Sequence, residues 1–211
     1  MTDTQPQIFE PEGRAIPYVE DAGSEPVLVL IPGYSNVAAL GTLAHVLAEE
    51  DFRILRVGYR TAQTEGVTLH DLAQDVVDVM DHVGLGDAWV GGHAFGGAVA
   101  RTVSIDHTDR VDGVLLLGAE GDEPRTDLEP LQAAAAASVS LDEWRALAPT
   151  VPVMLIQGAD DEVLPPANGE RLQAAAPGLV SLVTLEGGGH LFPATHAGEA
   201  AFVIEDYLDV D

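Results

Sequence analysis

The sequence predicts an α/β protein in which a mostly parallel, twisted sheet carries helices on both faces. Short runs rich in β-branched residues alternate with helical patterns from one end of the chain to the other, and this alternation is typical of parallel strands joined by helices. The chain has 211 residues, of which 46% are hydrophobic, and the apolar residues occur in short runs. A chain of this length builds one core, so we predict a single domain over residues 1–211.

The predicted strands are short runs of apolar and β-branched residues. Residues 1–23, around GRAIPYVEDAG, are expected to supply one or two antiparallel edge strands. Six further strands are predicted at residues 25–33, 52–60, 88–92, 113–118, 151–158 and 179–185.

The predicted helices lie between these strands. One ends with HVLAEE at residues 45–50, and another closes the chain at residues 198–208. The clearest amphipathic pattern has apolar residues at steps of three and four, namely Leu69, Leu72, Val76, Met80 and Val83. This spacing places them on one face of a helix, and Thr68 stands where its side chain would cap the first turn.

One segment breaks the alternation. Residues 119–150 are acidic at first and then rich in alanine, with prolines at positions 124 and 130. This composition predicts a short helical insertion. Two interpretations stay open, a plain crossover helix and a lid over a pocket, because long connections in compact domains are often functional.

The composition is strongly acidic, with 35 acidic residues, nine arginines, no lysine and a net charge of −26. Nucleic acids and anionic membranes are bound mainly through Lys and Arg, so neither is an expected partner. The carboxylates are scattered along the chain, which favours a solvated surface over an acidic docking face. No run approaches the ~20 apolar residues of a membrane helix, and the polar start lacks the pattern of a signal peptide. We therefore expect a cytoplasmic protein.

Residues 91–97 read GGHAFGG and lie between a predicted strand and a predicted helix. In the G-x-S-x-G pattern, a serine sits on a tight strand-to-helix turn that exposes its hydroxyl, and the flanking glycines allow that turn. The glycines alone would also suit close packing of helix on strand. Here the central residue is Ala94, so the pattern predicts a strained turn with a methyl group where a nucleophile would stand.

Two further loops, one with acids and one with a histidine, follow predicted strands. Their order after the G-x-S-x-G-like segment is the chain order nucleophile, acid, histidine that accompanies this pattern. GADDEVLPP at residues 158–166 carries carboxylates, and EGGGHLFP at residues 186–193 carries His190. Loops at the carboxyl ends of parallel strands meet at one edge of the sheet, so these side chains are expected to converge near Ala94. The spacing leaves several acids open, namely Asp160, Asp161 and Glu162, with Glu120 and Asp122 after the preceding strand.

Taken together, these segments resemble the α/β-hydrolase fold family over nearly the whole chain, and its size resembles the compact, minimally capped esterases. The resemblance implies that Ala94 stands where the family has serine, that Asp161 is the orienting acid and that His190 is the base. It also implies an oxyanion hole formed by the backbone N–H groups of Tyr34 and Phe95.

Two other positions depart from the family pattern besides Ala94. Pro32-Gly33 replaces a frequent His-Gly, which should not disturb a hole built from backbone amides. In the turn at residues 58–61, where relatives often have Asp-x-Arg-Gly, only Arg60 matches.

The remaining histidines are expected to play no part in catalysis. His93 is expected to flank the elbow without reacting, and the others are assigned to helix faces or turns, namely His45, His70, His82, His107 and His196. The chain contains no cysteine and no HExxH pattern, so we expect neither a metal site nor a cofactor.

The alanine limits the expected activity, because a methyl group cannot attack a carbonyl. We expect a serine hydrolase of acyl esters whose nucleophile was replaced by an introduced Ser-to-Ala change, so that the chain is inactive or nearly so. The alternative is a natural relative without a nucleophile, which binds a small ligand or uses His190 as a base in non-hydrolytic chemistry. A scaffold role is a third hypothesis. The expected partner is a small acyl-containing substrate, whose ester, thioester, lactone or amide nature the sequence does not fix, and the sequence leaves the oligomeric state open.

Overall fold

The computed structural model describes residues 5–21, 23–145 and 150–208. One sheet of eight strands forms its centre, in the order β1-β2-β4-β3-β5-β6-β7-β8. The first two strands pair in antiparallel fashion and the other six are parallel to one another. The strands are β1 (Gln7–Phe9), β2 (Ile16–Asp21), β3 (Val27–Ile31), β4 (Arg53–Val57), β5 (Ala88–His93), β6 (Val111–Leu117), β7 (Val153–Gly158) and β8 (Val180–Leu185).

Helices cover both faces of this sheet, as the α/β prediction required. One apolar cluster lies under α2 and α3, and a second lies under α1 and α8 on the opposite face. The helices are α1 (Gly41–Glu49), α2 (Leu69–His82), α3 (Phe95–Asp106), α4 (Pro130–Ala137), α5 (Leu141–Arg145), α6 (Ala167–Ala175), α7 (Phe192–Thr195) and α8 (Ala197–Leu208). In the part of the chain described here, no helix is both long enough and apolar enough to cross a membrane.

The start of α2 confirms the predicted cap. The Thr68 hydroxyl accepts a hydrogen bond from the Asp71 amide at 3.0 Å, and the Asp71 carboxylate accepts one from the Thr68 amide at 2.8 Å. This reciprocal pair satisfies two amides that the first helical turn leaves free. The predicted apolar face is buried up to Met80, whereas Val83 lies just beyond the last helical residue.

A buried ion-pair network holds α2 against the turn at residues 58–61. The guanidinium of Arg60 donates to both oxygens of Asp75, at 2.6 and 2.7 Å. Arg14 donates to Asp75 at 2.7 Å and to Asp78 at 2.7 Å. Arg60, the residue of this turn that matches the family pattern, is therefore paired with Asp75 on α2.

The helical insertion predicted at residues 119–150 is present as α4 and α5, and residues 146–149 lie outside the described part of the chain. The predicted edge strands are β1 and β2, with residues 1–4 and 22 also outside it. The insertion packs on the centre of the molecule: Gln132 Nε2 donates to the Gly33 carbonyl at 2.9 Å, and the buried Trp144 stacks on Phe95 at 6.4 Å between ring centroids. It thus contacts the loop after β3 and the first residue of α3.

Candidate active site

The elbow between β5 and α3 is a single residue, Ala94. Its φ of 50° and ψ of −121° are rare for a residue with a side chain, and such a conformation costs about 1–3 kcal/mol. Backbone hydrogen bonds hold it, because the Ala94 amide donates to the Leu117 carbonyl at 3.2 Å and the Gly97 amide donates to the Ala94 carbonyl at 2.8 Å. The strained turn expected from the sequence is present.

The glycines around the elbow permit contacts that no other residue allows. A Cβ on Gly92 would lie 2.1 Å from the carbonyl carbon of Gly96, and one on Gly96 would lie 2.2 Å from the carbonyl oxygen of Ile31. Both distances are far inside van der Waals contact. The start of α3 is therefore pressed directly against the ends of β3 and β5.

Asp161 and His190 meet at the same edge of the sheet. The His190 Nδ1–H donates to Asp161 Oδ2 at 3.2 Å, and Asp161 Oδ1 accepts from the amides of Val163 and Leu164 at 2.9 and 2.8 Å. Burial raises the pKa of Asp161, but the hydrogen bonds from His190 and from these two amides outweigh it, so the pKa lies below its ordinary value.

This pair fixes the chemistry that His190 offers. A carboxylate only accepts hydrogen bonds, so Nδ1 carries the proton and, in the neutral ring, Nε2 carries a lone pair. Among the described residues, Nε2 of His190 is buried and has no hydrogen-bond partner. The ring is thus oriented as a base with its accepting atom free.

The other acids considered from the sequence are placed differently. Asp160 and Glu162 are exposed beside Asp161. Glu120 is paired with Arg125 at 3.2 Å, and Asp122 is within 3.5 Å of Arg171. Of these five acids, Asp161 is the one hydrogen-bonded to His190.

His93 has more contacts than a flanking residue requires. Its Nε2–H donates to the carbonyl oxygen of His190 at 2.9 Å, and the two rings lie 4.7 Å apart. Burial first, and the nearby His190 second, lower the pKa of His93 to about 4. This contact was not predicted from the sequence, where the only signal for it is the position of His93 beside the elbow.

The predicted oxyanion donors lie on two segments that contact the elbow. A Cβ on Gly33 would be 3.2 Å from the Ala94 Cβ, which places the neighbouring Tyr34 amide beside that residue. Within the described residues, neither the Tyr34 amide nor the Phe95 amide donates to another group of the protein. The Tyr34 ring meets the His190 ring edge-on at 6.4 Å.

The insertion also contacts the loop that carries Tyr34 and Ser35. Glu129 accepts hydrogen bonds from the amide and the hydroxyl of Ser35, at 2.7 and 2.5 Å. A cavity of about 420 Å³ opens beside it, with Ser35, Tyr59, Arg60 and Leu131 in its lining. Neither Ala94 nor His190 lines this cavity, which therefore adjoins the loop of Tyr34 and Ser35 rather than the acid–histidine pair.

The other five histidines lie on helices or at their ends, as the sequence predicted. His45 and His70 are exposed on helices, His82 ends α2 and stacks on Phe9, and His107 and His196 follow the last residues of α3 and α7. Across residues 5–21, 23–145 and 150–208, no three His, Cys, Asp or Glu side chains lie close enough to hold a metal ion.

Comparison with known proteins gives the family. Residues 26–149 match the family described as the alpha/beta hydrolase fold. A thermophilic esterase of Thermogutta terrifontis is 16% identical, with a TM-score of 0.78 over 97% of this chain and 98% of that one. A carboxylesterase of Bacillus subtilis is 18% identical, with a TM-score of 0.72 over 99% and 93%. An epoxide hydrolase of Vigna radiata is 14% identical, with a TM-score of 0.73 over 98% of each chain.

At these identities the three structures show a shared fold and leave the reaction open. The family match, however, spans more than half of the chain. The fold that carries it extends over nearly the full length of the protein. This protein therefore belongs to the α/β-hydrolase fold family.

Proposed function

We propose that the protein has the site of an ester-hydrolysing serine hydrolase in which alanine occupies the nucleophile position, so that the chain as it stands is inactive or nearly so. The observation that carries the proposal is the free Nε2 of His190, oriented by Asp161, beside an elbow held in a strained conformation. A ligand-binding role alone requires neither feature. An introduced Ser-to-Ala change accounts for both.

With serine at position 94, the reaction would follow the triad pattern. The serine Oγ attacks the acyl carbonyl carbon while His190 Nε2 takes its proton, and Asp161 stabilises the resulting imidazolium. The amides of Tyr34 and Phe95 hold the oxyanion of the tetrahedral intermediate. Its collapse expels the alcohol, which receives the proton from His190, and water then releases the acid by the same steps. The substrate is a small acyl-containing molecule.

Alanine removes the first step and leaves the rest of the site intact. In triads of this kind, the residual advantage over water after loss of the nucleophile is about 10³–10⁴-fold, from the oxyanion hole and substrate binding. We therefore expect a weak or undetectable esterase in the present chain.

The test is Ala94→Ser, assayed beside the present chain on nitrophenyl esters of increasing acyl length, with turnover and the initial burst both followed. We expect a gain of at least about 10²-fold in kcat/KM and a burst that marks an acyl-enzyme. The control is the double variant Ala94→Ser, His190→Ala, which should lose the gain. A folded Ala94→Ser variant without activity on any acyl length would overturn the proposal.

The second candidate function is chemistry without a covalent intermediate. The same free Nε2 of His190 favours it, because that atom can accept a proton from a bound water or from a substrate C–H. Here the present chain should already turn over its substrate, His190→Gln should abolish turnover, and Ala94→Ser should bring no burst. The turnover and burst of the present chain, of His190→Gln and of Ala94→Ser therefore distinguish the two functions.

A further inference from the structure

A second cavity, whose lining includes neither Asp161 nor His190, lies among α3, the insertion and α6. Its volume is about 130 Å³, against about 420 Å³ for the cavity beside Ser35, so it suits a small molecule. Its lining includes Arg101, Glu120, Trp144, Arg145, Asn168 and Arg171. Arg101 follows the elbow by seven residues, or roughly 10 Å along the axis of α3, so the cavity extends beyond the region of the proposed triad.

Arg101 is the exception among the nine arginines. Eight of them lie within 4.0 Å of a carboxylate, namely Arg14, Arg53, Arg56, Arg60, Arg110, Arg125, Arg145 and Arg171. Within the described residues Arg101 has no such partner, and its buried Nε makes no hydrogen bond. In a chain with 35 acidic residues, a half-buried arginine whose Nε is buried and unbonded and that has no carboxylate partner points to an anion as its missing partner.

The charge of Arg101 persists in this setting. Burial lowers the pKa of Arg101 to about 10, so the guanidinium is still protonated at neutral pH. A charge that is partly removed from water and has no carboxylate partner is less favourable than a paired one. A ligand that brings a carboxylate would supply the missing partner through charge-assisted hydrogen bonds.

Glu120 carries a second polar atom without a partner in this cavity. Its Oε1 accepts from Arg125 at 3.2 Å, whereas its Oε2 is buried without a partner among the described residues. Although Glu120 and Arg101 line the same cavity, they form no ion pair with each other. The cavity thus presents a free cation and a free accepting oxygen, which suit an anion that also carries a hydrogen-bond donor.

The rim of the cavity is balanced in charge. Arg145 lies within 3.5 Å of Glu123, and Arg171 within 3.5 Å of Asp122. Arg171 also donates to Asn168 at 3.0 Å, and Asn168 donates to the Ala119 carbonyl at 2.9 Å. Because these polar groups already have partners, Arg101 and Glu120 are, among the described lining residues, the groups left for a ligand.

We propose that this cavity is a binding site for a small organic acid that carries a hydroxyl or an ammonium group next to its carboxylate. The carboxylate pairs with Arg101, and the neighbouring donor binds Oε2 of Glu120. The site is independent of Ala94, so it stands or falls separately from the hydrolase proposal.

Binding is measured on the present chain by titration calorimetry with lactate, alanine and propionate, at constant ionic strength set by sodium chloride. We expect saturable binding of lactate or alanine, at least about 10-fold tighter than that of propionate, which lacks the donor. Trp144 gives a second signal, since Trp89 is the only other tryptophan and a Trp89→Phe background leaves Trp144 fluorescence alone.

Arg101→Gln should weaken binding at least about 10-fold. The matched control is Arg110→Gln, which removes the same charge from an arginine paired with Asp81 outside the cavity, and it should bind as the present chain does. No saturable binding to the present chain, or equal binding by Arg101→Gln, would overturn the proposal. Equal binding of propionate would overturn the role of Glu120.

Discussion

The Nε2–H of His93 donates to the backbone carbonyl of His190, so the residue before the elbow is tied to the loop that follows β8. The other ring nitrogen of His93, Nδ1, faces the loop that carries Gly33 and Tyr34. A Cβ on Gly33 would lie 2.9 Å from this nitrogen. One buried histidine therefore contacts three parts of the site. Its ring lies between them and helps to set their spacing.

Acid should destabilise the protein through His93. The pKa of His93 is about 4 in the folded protein and 6.5 in an ordinary histidine, so between these values the unfolded chain binds more protons. This contribution to stability is complete above pH 6.5 and is lost as the pH falls toward 4, up to about 3 kcal/mol. Urea unfolding at pH 7 and pH 4.5 measures it.

His93→Gln is the variant for this test, because its amide keeps a donor at a similar reach without titrating. It should lose less stability than the parent between the two pH values. His45→Gln makes the same change at an exposed histidine and should behave as the parent. An equal loss of unfolding free energy between pH 7 and pH 4.5 in His93→Gln and in the parent would contradict the prediction.

Asp161→Asn should disable the Ala94→Ser enzyme. Asparagine can offer its N–H to Nδ1 and so favour the wrong tautomer of His190, which costs about 10³–10⁴-fold in kcat with little change in KM. The matched control is Asp160→Asn, one residue away and exposed, which should retain activity. A comparable loss in both variants would show that Asp161 has no special role.

Gly92→Ala should break the elbow. The added Cβ would overlap the Gly96 backbone at 2.1 Å, and since neither segment can move freely we expect a loss of about 3 kcal/mol or more. Gly86→Ala meets no atom within 4 Å and should change stability by less than about 1 kcal/mol. Thermal and urea unfolding of both variants check this, and similar losses would refute it.

Gln132→Ala should loosen the loop that carries Gly33 and Tyr34. It leaves the Gly33 carbonyl without its donor, which costs about 1–3 kcal/mol of stability. In the Ala94→Ser enzyme we expect kcat to fall more than KM changes, because the Tyr34 amide is needed most in the transition state. Gln74→Ala, at an exposed glutamine bonded to Asp78, is the control, and an unchanged kcat in Gln132→Ala would disprove the link.

Local patterns were enough to predict the strands, the cap at Thr68 and the elbow, because each depends on residues close together in sequence. The acid that contacts His190 was harder to predict, since three consecutive carboxylates follow β7 and spacing does not say which one turns inward. Asp161 does so because its own side chain accepts from two amides of the same turn. The contacts of His93 with His190 and of Gln132 with Gly33 join residues 97 and 99 positions apart, and no local pattern predicts them.

The contacts that hold the backbone at position 94 come from its neighbours, since its amide, its carbonyl and the flanking glycines fix the turn. Its side chain takes no part in them. Every alanine codon becomes a serine codon by a change of its first base alone. One point mutation would thus suffice, in evolution as in the laboratory, to switch between a hydroxyl and a methyl group here while the rest of the protein stays as it is.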